Sequence, residues 1–210
     1  MSSPVLSTFG ISGQSAAAAS PAAAVVPRSV SSVSTSNDMH AMNNLHRVDK
    51  WTNGFAIYRS GAPSQTSFSK WCELGVSQVV VLAGDAASYE EKYHLLCPSI
   101  QVVYNEQQDV SVPLTASFLR AFDNWVTAAQ KAGKVILFRC DCGCHRAGRL
   151  AGYYQMKYLG YTYDQAYHDM MLYGEGMQYF PYLADQLKAL QDYIHDQPCQ
   201  EKSQYCVINK

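Results

Sequence analysis

Short apolar runs along the chain alternate with stretches that repeat an apolar residue every three or four positions. The runs predict strands over residues 56–59, 76–82, 100–104 and 134–139, of which the second and fourth are apolar enough to be buried central strands. Strands that alternate with helices indicate a sheet covered on both faces. The predicted fold class is therefore α/β, a single domain with a central, mostly parallel sheet flanked by helices.

The helical stretches carry start and stop signals. Apolar residues about four apart predict a helix over residues 113–131, which Gly133 would end. Thr162, with Gln165 three residues later, matches a capping box that opens a second helix. A last helix is predicted over residues 182–195.

The first 38 residues lack this periodicity. They hold 11 Ser and 7 Ala with only two charged residues, Arg28 and Asp38, a composition typical of a segment that does not pack. Small and apolar residues at 16–26 resemble the core of an export signal, but no Lys or Arg precedes them. We expect a disordered leader or tail, or a cleaved signal, over residues 1–38, and a folded domain over 39–210. An exported or periplasmic location and a cytoplasmic one both stay open.

Charge and hydropathy argue against two classes of partner. Lys and Arg number 16 against 17 for Asp and Glu, and a net charge of −1 gives no general attraction to nucleic acid. No apolar run reaches the length of about 18 residues that a membrane span requires. We expect one globular domain with one active site, and no nucleic acid or membrane span.

Cysteine and arginine bracket a short loop between a strand and a helix. Residues 135–148 read Val-Ile-Leu-Phe-Arg-Cys-Asp-Cys-Gly-Cys-His-Arg-Ala-Gly. A loop that enters a helix directs unpaired N–H groups at one point, and the helix dipole adds to their field, so an anion is expected there. The same field is expected to depress the pKa of the Cys140 thiol and make it a nucleophile. Arg146 supplies a planar fork for two phosphate oxygens.

This loop resembles that of the cysteine-dependent tyrosine phosphatase superfamily: Cys140, five residues and Arg146, with Gly143 between them and Gly148 after them. The segment 57–64, Ile-Tyr-Arg-Ser-Gly-Ala-Pro-Ser, followed by a strand, is similar to the N-terminal part of compact dual-specificity phosphatases. Those enzymes also place an aspartate roughly thirty residues before the cysteine, and Asp109 lies 31 residues before Cys140. The resemblance extends from about residue 53 to about residue 182.

The resemblance implies a phosphatase domain that hydrolyses phosphomonoesters in two steps and needs no metal or cofactor. Cys140 would attack phosphorus, Arg146 would clamp the transition state, and Asp109 would protonate the leaving oxygen and then activate water, with Glu106 as the alternative acid. The implied substrate-binding residues are Asp141, Cys142, Gly143, Cys144, His145, Ala147 and Arg59.

Three loop positions differ from the family pattern. Arg139 stands where the family usually has a histidine that orders the loop, and arginine can donate similar hydrogen bonds. Ala147 replaces a Ser or Thr hydroxyl that helps the thiolate leave, so slower breakdown of the intermediate is expected. Asp141 adds a carboxylate at the rim, which should weaken the binding of highly anionic substrates.

The loop is similar to those of compact atypical dual-specificity enzymes and tyrosine-phosphatase-like phytases, which favours inositol polyphosphates over a phosphoprotein as the substrate. Four residues are candidates for added positive charge around the pocket: Arg59, Arg139, His145 and Arg149. Two rival functions stay open. One is rhodanese-type sulfur transfer, which would not need Asp109, and the other is a phosphate-binding pseudophosphatase.

The other cysteines leave several pairings open. Cys140 could form a protective, reversible disulfide with Cys142 or Cys144. Zinc would need four ligands within residues 140–145, a spacing that rarely surrounds one ion. A small C-terminal loop could be closed by Cys199 and Cys206, whereas Cys72 and Cys97 would be either buried thiols or a pair formed in an oxidising compartment.

Overall fold

Five strands and six α-helices are found in the computed structural model, which describes residues 43–209. The strands are β1 (His46–Lys50), β2 (Ala56–Ser60), β3 (Val76–Val81), β4 (Gln101–Asn105) and β5 (Val135–Arg139). The helices are α1 (Gln65–Glu73), α2 (Glu90–Tyr93), α3 (Ala116–Ala132), α4 (Arg146–Leu159), α5 (Tyr163–Leu172) and α6 (Tyr182–Ile194). The predicted leader over residues 1–38 lies outside the described residues.

The strands form one sheet in the order β1-β2-β5-β3-β4. Only β1 is antiparallel to its neighbour, and the other pairs are parallel. The prediction of an α/β fold with a mostly parallel sheet is therefore confirmed. The two runs predicted to be central are β3 and β5, and β5 lies in the middle of the sheet.

Both faces of the sheet are covered, as a continuous apolar run predicts. Along β5, Ile136 and Phe138 face a large core formed with α3, α4, α5 and α6. Val135 and Leu137 face the other side, where they join a smaller core that includes Trp71 of α1. The alternation follows from the two-residue period of a strand.

Two predicted helix boundaries are confirmed by their capping contacts. The Thr162 side chain accepts a hydrogen bond from the Gln165 amide at 3.3 Å, and the Gln165 side chain accepts one from the Thr162 amide at 2.9 Å. Gly133 ends α3 in a left-handed conformation with φ 63°. Cys199 and Cys206 form the disulfide that could close the C-terminal loop. Cys72 pairs with Cys97, so the alternative that these two are buried free thiols is wrong. None of the helices in residues 43–209 combines the length and the apolar character needed to cross a bilayer.

Candidate active site

The loop between β5 and α4 lies at the carboxyl end of the parallel strands and holds Cys140. This residue is only 1% exposed. Its amide donates to the Ser60 carbonyl at 3.4 Å, and its sulfur accepts a hydrogen bond from the Ala147 amide in the first turn of α4. The sulfur is therefore fixed at the N-terminal end of the helix, as the sequence predicts.

The loop requires glycine where it passes the end of β2. Gly143 has φ +73°, and a Cβ atom there would lie 2.6 Å from the Gly61 nitrogen and 2.6 Å from the Ser60 carbonyl carbon. Gly61 is equally confined, because its Cβ would lie 2.8 Å from the Asp141 carbonyl oxygen. The segment around residues 57–64 thus packs directly against the loop. The Ala62 amide donates a hydrogen bond to the Asp141 carbonyl at 2.8 Å.

The expected depression of the Cys140 pKa is wrong in direction. A hydrogen bond from its thiol to Cys142 raises the pKa of Cys140 well above the ordinary value, and burial raises it further. The Ala147 amide and the Arg146 charge act in the opposite direction, but they are the smaller contributions. The loop amide and the Arg146 charge lower the Cys140 pKa as expected, but the hydrogen bond to Cys142 and the burial of the thiol raise it by more.

Arg146 begins α4 and lies with His145, Asp141 and Asp109 along a cavity of about 570 Å³. One Arg146 nitrogen donates to the Leu82 carbonyl at 3.0 Å, and the other donates to the Asp141 carboxylate. The guanidinium is thus oriented by the backbone and by the loop's own carboxylate. The structure brings the predicted clamp and the predicted acid to the same cavity.

Asp109 is exposed and held in a tight turn. Its carboxylate accepts hydrogen bonds from the Ser111 amide at 2.8 Å and from the Ser111 hydroxyl at 2.7 Å. These hydrogen bonds lower the pKa of Asp109. The alternative acid, Glu106, accepts a hydrogen bond from the Tyr104 hydroxyl at 3.2 Å and does not line this cavity.

The three arginines that the sequence suggested as added positive charge around the pocket are buried and do not line the cavity. Arg59 is 1% exposed and donates to the carbonyls of Gly143 at 2.7 Å and Cys144 at 3.1 Å. It therefore supports the loop from within, and its predicted contact with substrate stays a prediction. Arg139 and Arg149 are each 0% exposed. The expectation that these three charges surround the pocket is wrong, because each is packed inside the protein.

Arg139 does not take over the loop-ordering role of the missing histidine. Its guanidinium donates to both oxygens of the buried Glu90 carboxylate and, at 2.6 Å, to Asp85. It also lies over the Tyr89 ring, 5.3 Å from the centroid. The side chain therefore joins β5 to the segment before and within α2, and two carboxylates compensate its charge.

A second cavity of about 490 Å³ is also lined by residues of the loop and shares Asp141 with the first. Cys142 and Cys144 line it together with Asn44 and Glu175. Asn44 was not singled out by the sequence, yet its side-chain amide donates to the Cys142 carbonyl at 3.2 Å. A single asparagine in a polar segment gives no pattern that would indicate such a contact.

His145 contacts one of the loop thiols, that of Cys142. The His145 Nε2–H donates to the Glu175 carbonyl at 2.7 Å, and Nδ1 lies 3.7 Å from the Cys142 sulfur. Burial lowers the pKa of His145, so the ring is neutral at pH 7. No group of three or more His, Cys, Asp or Glu within residues 43–209 is arranged to hold a metal ion.

Two buried side chains contact the loop that follows Asp109: Arg149 of α4, which the sequence suggested only as added charge around the pocket, and Gln186 of α6, which the sequence did not single out. Arg149 donates to the Val112 carbonyl at 2.8 Å, and Gln186 donates to the Ser111 carbonyl at 3.0 Å. The position of Arg149, three residues after Arg146, is the signal that places it on the same side of α4.

No protein-family model matches the sequence, and no curated protein does either. Solved structures show a clear similarity of fold. TpbA of P. aeruginosa is 20% identical with a TM-score of 0.52, over 66% of this chain and 86% of its own. Tk-PTP is 18% identical with a TM-score of 0.53, over 70% and 96%. PTPMT1 in complex with PI(5)P is 12% identical with a TM-score of 0.56, over 72% and 97%. The chain therefore has the fold of the cysteine-dependent tyrosine and dual-specificity phosphatase superfamily.

Proposed function

We propose that this protein is a cysteine-dependent phosphatase that hydrolyses singly phosphorylated substrates through a phosphocysteine at Cys140. One observation carries the proposal. The loop that holds the Cys140 sulfur against the Ala147 amide also presents Arg146 to a cavity that Asp109 lines. Nucleophile and oxyanion clamp thereby lie at one helix N-terminus, and the clamp shares its cavity with the acid. The domain predicted over residues 39–210 would be the catalytic domain.

In the first step the Cys140 thiol loses its proton to the solvent and the thiolate attacks phosphorus. The sulfur–phosphorus bond forms, the bond from phosphorus to the substrate oxygen breaks, and Asp109 gives that oxygen a proton. The Ser111 hydrogen bonds favour the ionised form of Asp109 in the free protein. A phosphate dianion bound at Arg146 favours the protonated form, because a nearby like charge raises the pKa of a carboxyl group.

In the second step a water molecule attacks the phosphocysteine. Asp109, now ionised, accepts a proton from the water, the sulfur–phosphorus bond breaks, and inorganic phosphate is released. The leaving thiolate receives the Ala147 amide hydrogen bond, which lowers the pKa of Cys140. Because Ala147 has no hydroxyl to add a second hydrogen bond, this step is expected to limit the rate.

The charges near the loop favour a substrate with a single phosphate. Among residues 43–209, three carboxylates line the two cavities, those of Asp109, Asp141 and Glu175, whereas Arg146 is the one arginine that lines either of them. His145 adds no charge at pH 7, because burial lowers its pKa. Several phosphates on one ring would meet more negative than positive groups, which costs binding energy.

The ligands of two similar structures support this proposal. A variant of TpbA is found in complex with phosphotyrosine, and PTPMT1 in complex with PI(5)P. The inositol polyphosphate expected from the loop sequence stays a prediction, and the carboxylates at the rim count against it. A pseudophosphatase is the second candidate, because both the raised pKa of Cys140 and the missing hydroxyl at Ala147 slow turnover.

Phosphate release from three substrates tests the proposal: a phosphotyrosine peptide, a phosphatidylinositol monophosphate and inositol hexakisphosphate. We expect the full-length protein in reducing buffer to hydrolyse at least one of the first two faster than the third, and Cys140→Ser to abolish release. Faster release from the hexakisphosphate would overturn the assigned substrate class. Phosphate binding without release from any substrate would establish the pseudophosphatase instead.

A further inference from the structure

Two buried polar side chains hold the segment that follows Asp109. Arg149 of α4 donates to the Val112 carbonyl at 2.8 Å and to the Val110 carbonyl at 3.4 Å. Gln186 of α6 donates to the Ser111 carbonyl at 3.0 Å and to the Val110 carbonyl at 3.4 Å. Arg149 also donates to the Gln186 side-chain oxygen. Every carbonyl of residues 110–112 therefore accepts a hydrogen bond from one or both of these side chains.

The segment is also held on the other side of Asp109. Arg146 donates to the Gln108 carbonyl at 3.4 Å with the same nitrogen that donates to Leu82. Arg146 and Arg149 lie one turn apart on α4, so one rigid helix carries both the clamp for the phosphate and a contact that fixes the acid's segment. The distance between clamp and acid is thus determined by the geometry of α4.

Stability alone does not account for Arg149. The side chain is fully buried, and within residues 43–209 it forms no ion pair with a carboxylate. Burial lowers its pKa to about 10, as expected for a cation whose charge is not compensated. A buried cation that contacts only neutral groups reduces the free energy of unfolding relative to an apolar residue. What Arg149 specifically provides is the fixed position of the backbone at residues 110–112.

We propose that Arg149 and Gln186 are positioning residues that hold the Asp109 segment where its carboxyl group reaches the leaving oxygen. The inference rests on the proposed phosphatase function. It adds that two helices, α4 and α6, hold the segment whose Asp109 carries out the proton transfer. Loosening this support would impair proton transfer to the leaving group and leave attack by Cys140 intact. The effect would therefore grow with the basicity of the leaving group.

Two substrates of nearly the same shape separate these steps. p-Nitrophenyl phosphate has an acidic leaving phenol that needs little protonation, whereas phenyl phosphate has a basic one. The kcat/KM value reports the first chemical step even when breakdown of the phosphocysteine limits kcat. For Asp109→Asn we expect a loss of about 100-fold with phenyl phosphate and less than about 10-fold with p-nitrophenyl phosphate. For Arg149→Met and Gln186→Met we expect the same asymmetry with smaller losses.

A double variant shows whether Arg149 acts through Asp109. If it does, Arg149→Met combined with Asp109→Asn is no slower than Asp109→Asn alone, because the acid step is already lost. Tyr153→Phe is the matched control, because it removes a buried hydrogen bond of the same helix, 2.9 Å from the Tyr153 hydroxyl to Asp123. It is expected to change both substrates equally. If Arg149→Met does not fold, Gln186→Met and its own double variant with Asp109→Asn carry the test.

The outcomes separate the two proposals. Equal losses on both substrates for Arg149→Met and Gln186→Met, or losses that add to that of Asp109→Asn, overturn the positioning role while the phosphatase function stands. A wild-type protein that releases phosphate from neither substrate, or a Cys140→Ser variant with unchanged activity, overturns the phosphatase function and the positioning role with it.

Discussion

Asp141 accepts a hydrogen bond from Arg146, the residue at the other end of the same loop. The Asp141 side chain is 67% exposed, whereas that of Arg146 is 13% exposed. The loop's own carboxylate thus occupies part of the guanidinium that the proposed function assigns to phosphate. A bound phosphate must displace this carboxylate or share the guanidinium with it.

We therefore expect Asp141→Asn to strengthen anion binding. An exposed ion pair is worth roughly 0.2–1 kcal/mol, so the inhibition constant of inorganic phosphate should fall by about 1.5- to 5-fold. The inhibition constant is measured by adding inorganic phosphate as a competitive inhibitor of p-nitrophenyl phosphate hydrolysis. Glu106→Gln removes the same charge from a carboxylate that contacts Tyr104 and not the loop, and should leave the constant nearly unchanged. A weaker or equal affinity in Asp141→Asn would show that this carboxylate does not compete.

Gly143→Ala should abolish phosphate binding. The new Cβ would meet backbone atoms at 2.6 Å in a residue with φ +73°, so the loop cannot keep its shape. Gly160→Ala is a matched control, because Gly160 has φ +69° but nothing lies within 4 Å of its Cβ. The control should lose about 1–2 kcal/mol of stability and retain phosphate binding. Thermal unfolding with and without phosphate distinguishes them, and a phosphate-dependent shift in Gly143→Ala would contradict the loop geometry.

Cys142→Ala should make Cys140 more reactive at neutral pH. The hydrogen bond to Cys142 is the largest cause of the raised Cys140 pKa, so its removal lowers that pKa. Because the thiolate is the reactive form, the ascending limb of the pH profile of kcat/KM should move to lower pH. The rate at which iodoacetamide alkylates Cys140, followed by mass spectrometry, should rise at a correspondingly lower pH than in the wild type.

Cys144→Ala controls for the loss of any loop thiol, because Cys144 is not among the main causes of the Cys140 shift. It should leave the ascending limb close to its wild-type position. A shift to higher pH in Cys142→Ala would mean that Cys142 assists the ionisation of Cys140 rather than opposing it.

The strands next to the loop and the loop itself could be predicted because their signals are local. The run at β5 is apolar at each buried position except Arg139, and the Cys-to-Arg spacing lies within seven residues. β1 could not be predicted in the same way. Its sequence, His-Arg-Val-Asp-Lys, is polar because it is an edge strand that pairs only with β2.

The roles of the arginines could not be predicted because their partners are distant in sequence. Arg139 meets Glu90 at a separation of 49 residues, and Arg149 meets Gln186 at a separation of 37. A sequence places an arginine near a site, but burial and pairing depend on which other elements pack there. The charge expected around the pocket was wrong for this reason.

The Arg139–Glu90 pair should be important for folding. Both side chains are buried, and removal of Glu90 leaves the buried Arg139 charge with only the partly exposed Asp85 as a partner. Glu90→Gln is expected to cost about 3–5 kcal/mol of the free energy of unfolding in urea. Asp85→Asn is the comparison, because Asp85 contacts the same guanidinium with a side chain that is 27% exposed, and should cost less. Equal losses would show that the buried partner has no special role.

Ala147→Ser should speed the second half of the reaction. Ala147 follows Arg146 and its amide already donates to the Cys140 sulfur, so an added hydroxyl lies where it can donate to the leaving thiolate. If phosphocysteine breakdown limits the wild type, p-nitrophenol should appear in a burst equal to the enzyme concentration before a slower steady state. Ala147→Ser should raise the steady-state rate and shrink the burst. Ala147→Val, which adds bulk without a donor, controls for packing at this fully buried position, and should not raise the rate. A wild type without a burst would show that the first step limits turnover, and that the missing hydroxyl at position 147 does not set the rate.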